Sequence, residues 1–205
     1  MYRHSRHASR HRGFTMIEAM IALLVLAVGL LGIATLQATA KRSVHQAGQR
    51  SLAISLADSM VERIRINPAA AAAYHTGLGA SALGGGTILD APRDCAAQTC
   101  TPAQVAAWDL WRWEQQLDGA TIRDANANAV GGLIEPHGCV VFQSAGGALP
   151  NTGRLRVIVS WRGVTDTSDA LLAGQACGTG AAGTLASRRQ VVVNTYVIDE
   201  EDLNP

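Results

Sequence analysis

The pattern of apolar and polar positions changes character along the chain, and each change predicts an element. Residues 19–36 are apolar or glycine except for Thr35, and they follow directly on Gly13-Phe14-Thr15-Met16-Ile17-Glu18. Roughly 20 apolar residues span a hydrocarbon core, so this run predicts a membrane-crossing helix. Beyond Leu36 polar residues return without a helix breaker, while Val44, Ala53, Leu56, Ala57, Met60, Val61 and Ile64 recur at threes and fours. That spacing is one face of an amphipathic helix continuing the first. Asn67-Pro68 ends it, because proline disfavours helix at the residue before it. Unbroken from 14 to 66, the helix would measure roughly 80 Å at 1.5 Å per residue, with Gly29 and Gly32 as soft points in its apolar half.

The alanines at 69–73 can extend a helical turn, whereas Gly84-Gly85-Gly86 reads as loop. Thr101-Pro102 has the form of an N-cap followed by proline at the first helical position, so 103–117 should be a short helix. Its Trp108, Trp111, Leu110, Trp113 and Leu117 are spaced so that most of them dock onto one surface. A packing surface is the plain reading of that cluster; a stacking site for carbohydrate or nucleotide is the sharper one, and no basic groove for single-stranded nucleic acid accompanies it. Three β-branched runs, 139–142, 155–161 and 189–197, predict strands. In the second, Leu155, Val157, Val159 and Trp161 alternate with Arg156, Ile158 and Ser160, one face buried and the other mostly polar. Gly146-Gly147 and Pro150-Asn151-Thr152-Gly153 are expected to form the hairpin turn between the first two strands. The chain therefore reads as α+β, a long spine helix with an antiparallel sheet in its C-terminal third.

Composition narrows the functional classes. The 205 residues are 48% hydrophobic but only 4% aromatic, so the soluble core is small. Arg3, Arg6, Arg10 and Arg12 all precede Phe14 with no acid among them; without those four the formal charge falls from +1 to −3. Nothing in that balance recommends nucleic acid as a partner. Positive charge before the apolar run favours a cytoplasmic N-terminus, although Lys41, Arg42 and Arg50 on the far side weaken the bias. The run is too long for a secretory signal peptide and has no Ala-x-Ala end. Cys95, Cys100, Cys139 and Cys177 all follow it, an even number that suits an oxidising compartment and two disulfides with three connectivities. Cys95–Cys100 would close a tight loop and Cys139–Cys177 would staple the long 165–187 loop to the sheet, which makes that pairing the favoured one. His137 stands two residues before Cys139, but a zinc site needs two further ligands in register, so neither metal nor cofactor is expected. Asp109, Glu114 and Asp118 read as the solvated face of a helix, Asp199, Glu200, Glu201 and Asp202 as a solvated acidic tail. No serine sits in a nucleophile elbow and no glycine-rich loop ends in Gly-Lys-Ser/Thr, so the chain is expected not to be an enzyme.

Glu18 is the residue out of place. An ionisable group within a membrane span costs on the order of 3 kcal/mol or more and usually marks function. With its basic leader ending in Gly13, Phe14 next and Glu18 as the fifth residue from Phe14, the chain resembles the type IV prepilins and pseudopilins. Three further stretches are similar to PilV-type minor pilins: Ala27-Val28-Gly29-Leu30-Leu31-Gly32 up to Leu36-Gln37, Ser59-Met60-Val61-Glu62-Arg63-Ile64-Arg65-Ile66-Asn67-Pro68, and Cys100-Thr101-Pro102-Ala103 ahead of Trp108-Asp109-Leu110.

The resemblance implies a pilin-like fold divided into a cleaved leader 1–13, a transmembrane helix half 14–36, an amphipathic half 37–67 and a periplasmic head 68–205. It implies cleavage between Gly13 and Phe14 by a prepilin peptidase, N-methylation of Phe14, and use of Glu18 in assembly. The implied partners are other minor pilins, the major pilin, an inner-membrane assembly platform and a tip adhesin. The implied location is the inner membrane, N-terminus cytoplasmic and head periplasmic, and then the pilus. A type II secretion pseudopilin, or a membrane-tethered periplasmic binding domain that does not polymerise, are the alternatives.

Overall fold

In a computed structural model of the chain, residues 13–79, 82–85, 90–120, 122, 124–126, 132–166, 176–178 and 185–203 are described. The leader arginines, Gly86 and most of the 165–187 loop lie outside them. The chain divides into two compact units between His45 and Gln46. Helix α1, Met16–Ile66, supplies the N-terminal unit, where its large apolar side chains from Met16 to Leu36 are exposed. A helix apolar on every side belongs in a membrane or an apolar assembly. Among the described residues α1 alone is long and apolar enough to cross a bilayer.

The second unit is built on the remainder of α1. Ala53, Leu56, Ala57, Met60, Val61 and Ile64 are buried along one face, with Gln49 buried at its start. Val44 shares the expected spacing but is 72% exposed and belongs to the N-terminal unit; periodicity marks a stripe without marking where its cover begins. The helix stops at Ile66, and Asn67 leaves helical geometry ahead of Pro68. A 3-10 helix, Pro68–Tyr74, then buries Ala70, Ala71 and Tyr74 against the same core. Helix α2, Pro102–Leu117, opens on a reciprocal capping box: the Gln104 N–H donates to Thr101 Oγ1 and the Thr101 N–H to Gln104 Oε1. It buries Trp113 completely, and the indole N–H donates to the Leu56 carbonyl at 2.9 Å. That bond satisfies the one polar group a buried tryptophan carries.

Strands β1, His137–Gly146, β2, Leu149–Arg162, and β3, Arg188–Val197, form an antiparallel sheet in sequence order. The expected hairpin turn is shorter than the turn residues suggest. Gly146 and Gly147 take positive φ and turn the chain, whereas Pro150-Asn151-Thr152-Gly153 lies inside β2. Pro150 is tolerated there because pairing with β3 begins only at Gly153 and the β1 register is irregular between Ser144 and Gly146. Gly153 is required by contact: a Cβ there would collide with the Gln143 carbonyl oxygen. Leu155, Val157, Val159 and Trp161 face the main core. The opposite face is not left polar at its far end. Ile158 is buried with Cys139 and Cys177 under Leu78 and Ala82, and Ser160 beside it is fully buried. Disulfides join Cys95 to Cys100 and Cys139 to Cys177; the second draws residues 176–178 over that face. Helix α3, Glu200–Leu203, is a single turn after β3.

Candidate functional site

Gly13, Phe14 and Thr15 precede α1 in coil, and the Thr15 carbonyl accepts from the backbone N–H groups of Glu18, at 3.1 Å, and Ala19, at 3.2 Å. This puts Glu18 in the first helical turn, where a negative charge meets the positive end of the helix dipole. Phe14 is 73% exposed and Glu18 is exposed. A Cβ added at Gly13 would meet nothing within 4 Å, and its backbone does not lie in the left-handed region. The fold of the chain therefore does not require glycine there, and a demand for it must come from a molecule that acts on the site.

Several acidic residues of the second unit are engaged in structure. Asp109 is not on a solvated face: Arg63 Nη1 lies 2.9 Å from its Oδ1 and the Tyr74 hydroxyl donates to its Oδ2 at 2.7 Å. The Asn67 amide donates both to Tyr74, at 3.2 Å, and to the Pro102 carbonyl, at 2.8 Å, so one network ties the end of α1 to the 3-10 helix and the start of α2. Burial first, and then Asp109, push the Tyr74 hydroxyl well above its ordinary pKa, so it stays a donor. Glu114, nearly fully buried, accepts from the Gly84 N–H at 3.3 Å, and Asp118 from the Gly85 N–H at 2.9 Å. Of the four terminal acids, Asp199 and Asp202 are docked, while Glu200 and Glu201 are exposed as expected. Asp199 is 4% exposed, its N–H donates to Thr152 Oγ1 at 2.9 Å, and the Asn151 N–H donates to Asp202 at 2.8 Å. Sequence reasoning missed these roles because every partner but the helical neighbours is remote in the chain. Asn151 and Thr152 gave no signal of them, because their composition is that of a turn.

His137 opens β1 with both ring nitrogens buried and without a hydrogen-bond partner. Burial and then the Arg188 charge lower its pKa, against an opposing pull from Glu135. Arg188 is itself buried, donating to Ser160 Oγ at 2.7 Å and to the Glu135 carbonyl at 2.9 Å, while Ser160 donates to the Cys177 carbonyl at 2.9 Å. His137 is therefore next to the disulfide but not part of a ligand cluster, and no group of three metal-binding side chains occurs among the described residues.

The three tryptophans of α2 divide. Trp113 is core, whereas Trp108 and Trp111 are half-buried and stacked on one another, ring centroids 4.9 Å apart and planes inclined by 29°.

Comparison with known families agrees with the geometry at the head of α1. Residues 8–34 match the prokaryotic N-terminal methylation motif, a span that contains Gly13, Phe14 and Glu18. Residues 35–111 match the family described as type IV pilin Tt1218, Tt1218-like. No curated protein and no solved structure matches the chain. The chain thus carries a prepilin-type methylation motif followed directly by a segment similar to a type IV pilin, in an α+β, pilin-like architecture.

Proposed function

We propose that this protein is a PilV-type minor pilin, a non-enzymatic subunit incorporated at low abundance into a type IV pilus, where it helps to prime assembly and to present a tip adhesin. The observation that carries the reading is Gly13-Phe14 in coil directly ahead of an exposed apolar helix whose first turn holds Glu18, inside a match to the methylation motif. The prepilin peptidase cuts between Gly13 and Phe14 and the Phe14 amine is methylated. The leader 1–13 is lost, 14–36 crosses the inner membrane with the N-terminus cytoplasmic, 37–67 continues the spine, and 68–205 forms the periplasmic head.

The electrostatics of the cut helix supply the mechanism. Cleavage creates a cationic amine at the positive end of a long helix dipole, where it is unfavourable unless an anion is near. Glu18 is that anion, one turn away. In lipid or among packed apolar helices an unpaired carboxylate takes up a proton, and pairing with an amine holds it ionised. Pairing with the amine of a neighbouring subunit selects an axial register, so Glu18 acts in docking onto the filament rather than in folding.

Two measurements test this. Intact mass and N-terminal sequencing of protein from sheared surface filaments should show an N-methylated Phe14 terminus. Glu18→Ala should leave membrane insertion and cleavage intact but reduce recovery in filaments by about a hundredfold or more, as expected for removing one partner of a desolvated charge pair. Normal incorporation of that variant sinks the assembly role. A processed chain confined to the inner membrane points to a pseudopilin, and a chain still beginning at Met1 points to a tethered binding domain.

A further inference from the structure

Helix α2 and the turn after it shape a depression of about 340 Å³ lined by Trp108, Trp111, Arg112, Gln115, Gln116 and Ala120. Its volume is at the lower end of the range for small-molecule sites, about 300–1,000 Å³. Its chemistry is mixed: a two-ring aromatic platform, one guanidinium and two carboxamides. The Gln116 Oε1 is buried without a hydrogen-bond partner, an uncompensated acceptor beside the platform. No acid lines the depression, and the acids nearest in sequence are committed elsewhere, Asp109 to Arg63 and Tyr74, Glu114 to Gly84 and Asp118 to Gly85. Arg112 is exposed and makes no ion pair among the described residues.

We infer that this depression is a carbohydrate subsite for an acidic sugar of the uronate class. The C–H face of a pyranose lies on the indole platform, the planar guanidinium of Arg112 takes the carboxylate in a bidentate fork, and Gln115 and Gln116 bond the ring hydroxyls as donors and acceptors. A nucleic-acid strand fits poorly, because it needs a basic groove tracking its phosphates and one arginine does not make a groove. A lipid chain fits poorly because half the lining is polar. The inference stands apart from pilus assembly, since it involves none of Gly13, Phe14 or Glu18.

The test is isothermal calorimetry on the full chain in lauryldimethylamine oxide, a detergent without sugar, titrated with oligogalacturonate and with a neutral galacto-oligosaccharide of equal length. Saturable binding is expected for the acidic oligomer, with weaker binding of the neutral one. Arg112→Gln, on an exposed side chain, should abolish the preference for the acidic oligomer. Trp111→Ala should weaken both by about tenfold or more, the scale of a lost aromatic stacking contact, with far-UV circular dichroism confirming the fold. The inference is overturned if neither oligomer binds saturably, if both bind equally, if Arg112→Gln keeps the preference, or if oligothymidylate binds more tightly than oligogalacturonate. Should Trp111→Ala unfold, the Arg112→Gln result decides alone. Because the experiment needs no filament, its failure leaves the pilin reading standing, and failure of the pilin reading leaves this site in place.

Discussion

His137 shows how one side chain ties stability to pH. Its ring nitrogens are buried without partners, and Arg188 adds positive charge nearby, so the folded protein holds its pKa below the ordinary 6.5. As pH falls below 6.5 the unfolded chain takes up a proton before the folded one does, so acidification favours unfolding. The contribution is fully present above pH 6.5 and is lost as pH falls towards and through the folded value. Thermal melting of the full chain in detergent should therefore show a lower Tm at about pH 5.5 than at about pH 7.5. His137→Asn should flatten that slope; an unchanged slope in the variant would assign it to other groups. Asp109 makes the complementary point about legibility. Its place on α2 was readable, yet its role was not, because Arg63 and Tyr74 lie 46 and 35 residues away and no local pattern announces them. Gly13, Phe14 and Glu18, in contrast, form a contiguous signal that needs no tertiary partner to be noticed.

At the scale of elements, local chemistry sets boundaries well. Thr101-Pro102 predicted the start of α2, and the capping box forms there with Gln104 as its second member. Thr101→Ala should cost about 1 kcal/mol, within the usual range for a lost N-cap. Urea unfolding of the second unit should show a lower midpoint with an unchanged slope, and a midpoint equal to wild type would mean the cap contributes nothing here. Proline after Asn67 ended α1 as expected, since the restriction on the preceding residue is steric and local. The hairpin was misjudged for the converse reason. Pro150-Asn151-Thr152-Gly153 has the composition of a turn, but the C-terminal segment docks on Asn151 and Thr152 and β1 approaches Gly153 too closely for any side chain. Those residues are polar or small because of what packs on them, not because the chain turns.

At the scale of the whole second unit, the disulfides act unequally. Cys139–Cys177 encloses a sequence separation of 38 and Cys95–Cys100 one of 5. On the chain-entropy account these limit the unfolded chain by roughly 4 and roughly 2 kcal/mol respectively. The longer bridge also covers Ile158 on the second face of the sheet. Replacing Cys139 and Cys177 together by alanine should therefore lower the Tm more than replacing Cys95 and Cys100 together. Equal losses in differential scanning calorimetry would show that the cover on Ile158 and the loop length matter less than proposed.

What the sequence by itself determined is what depends on neighbours along the chain: the apolar span after Glu18, the amphipathic stripe from Ala53 to Ile64, the proline stop, the capped α2 and the three strands. Periodicity, caps and steric restrictions are local, so a reading of adjacent residues suffices. Only the tertiary structure decided that Trp113 is core while Trp108 and Trp111 stack beside a polar depression, that Asp109 and Asp199 are held rather than solvated, and that the outer face of β2 is covered by Cys177. Each of those depends on which remote segment packs on a given face. Side-chain spacing assigns the faces of an element, and only packing assigns what lies against them.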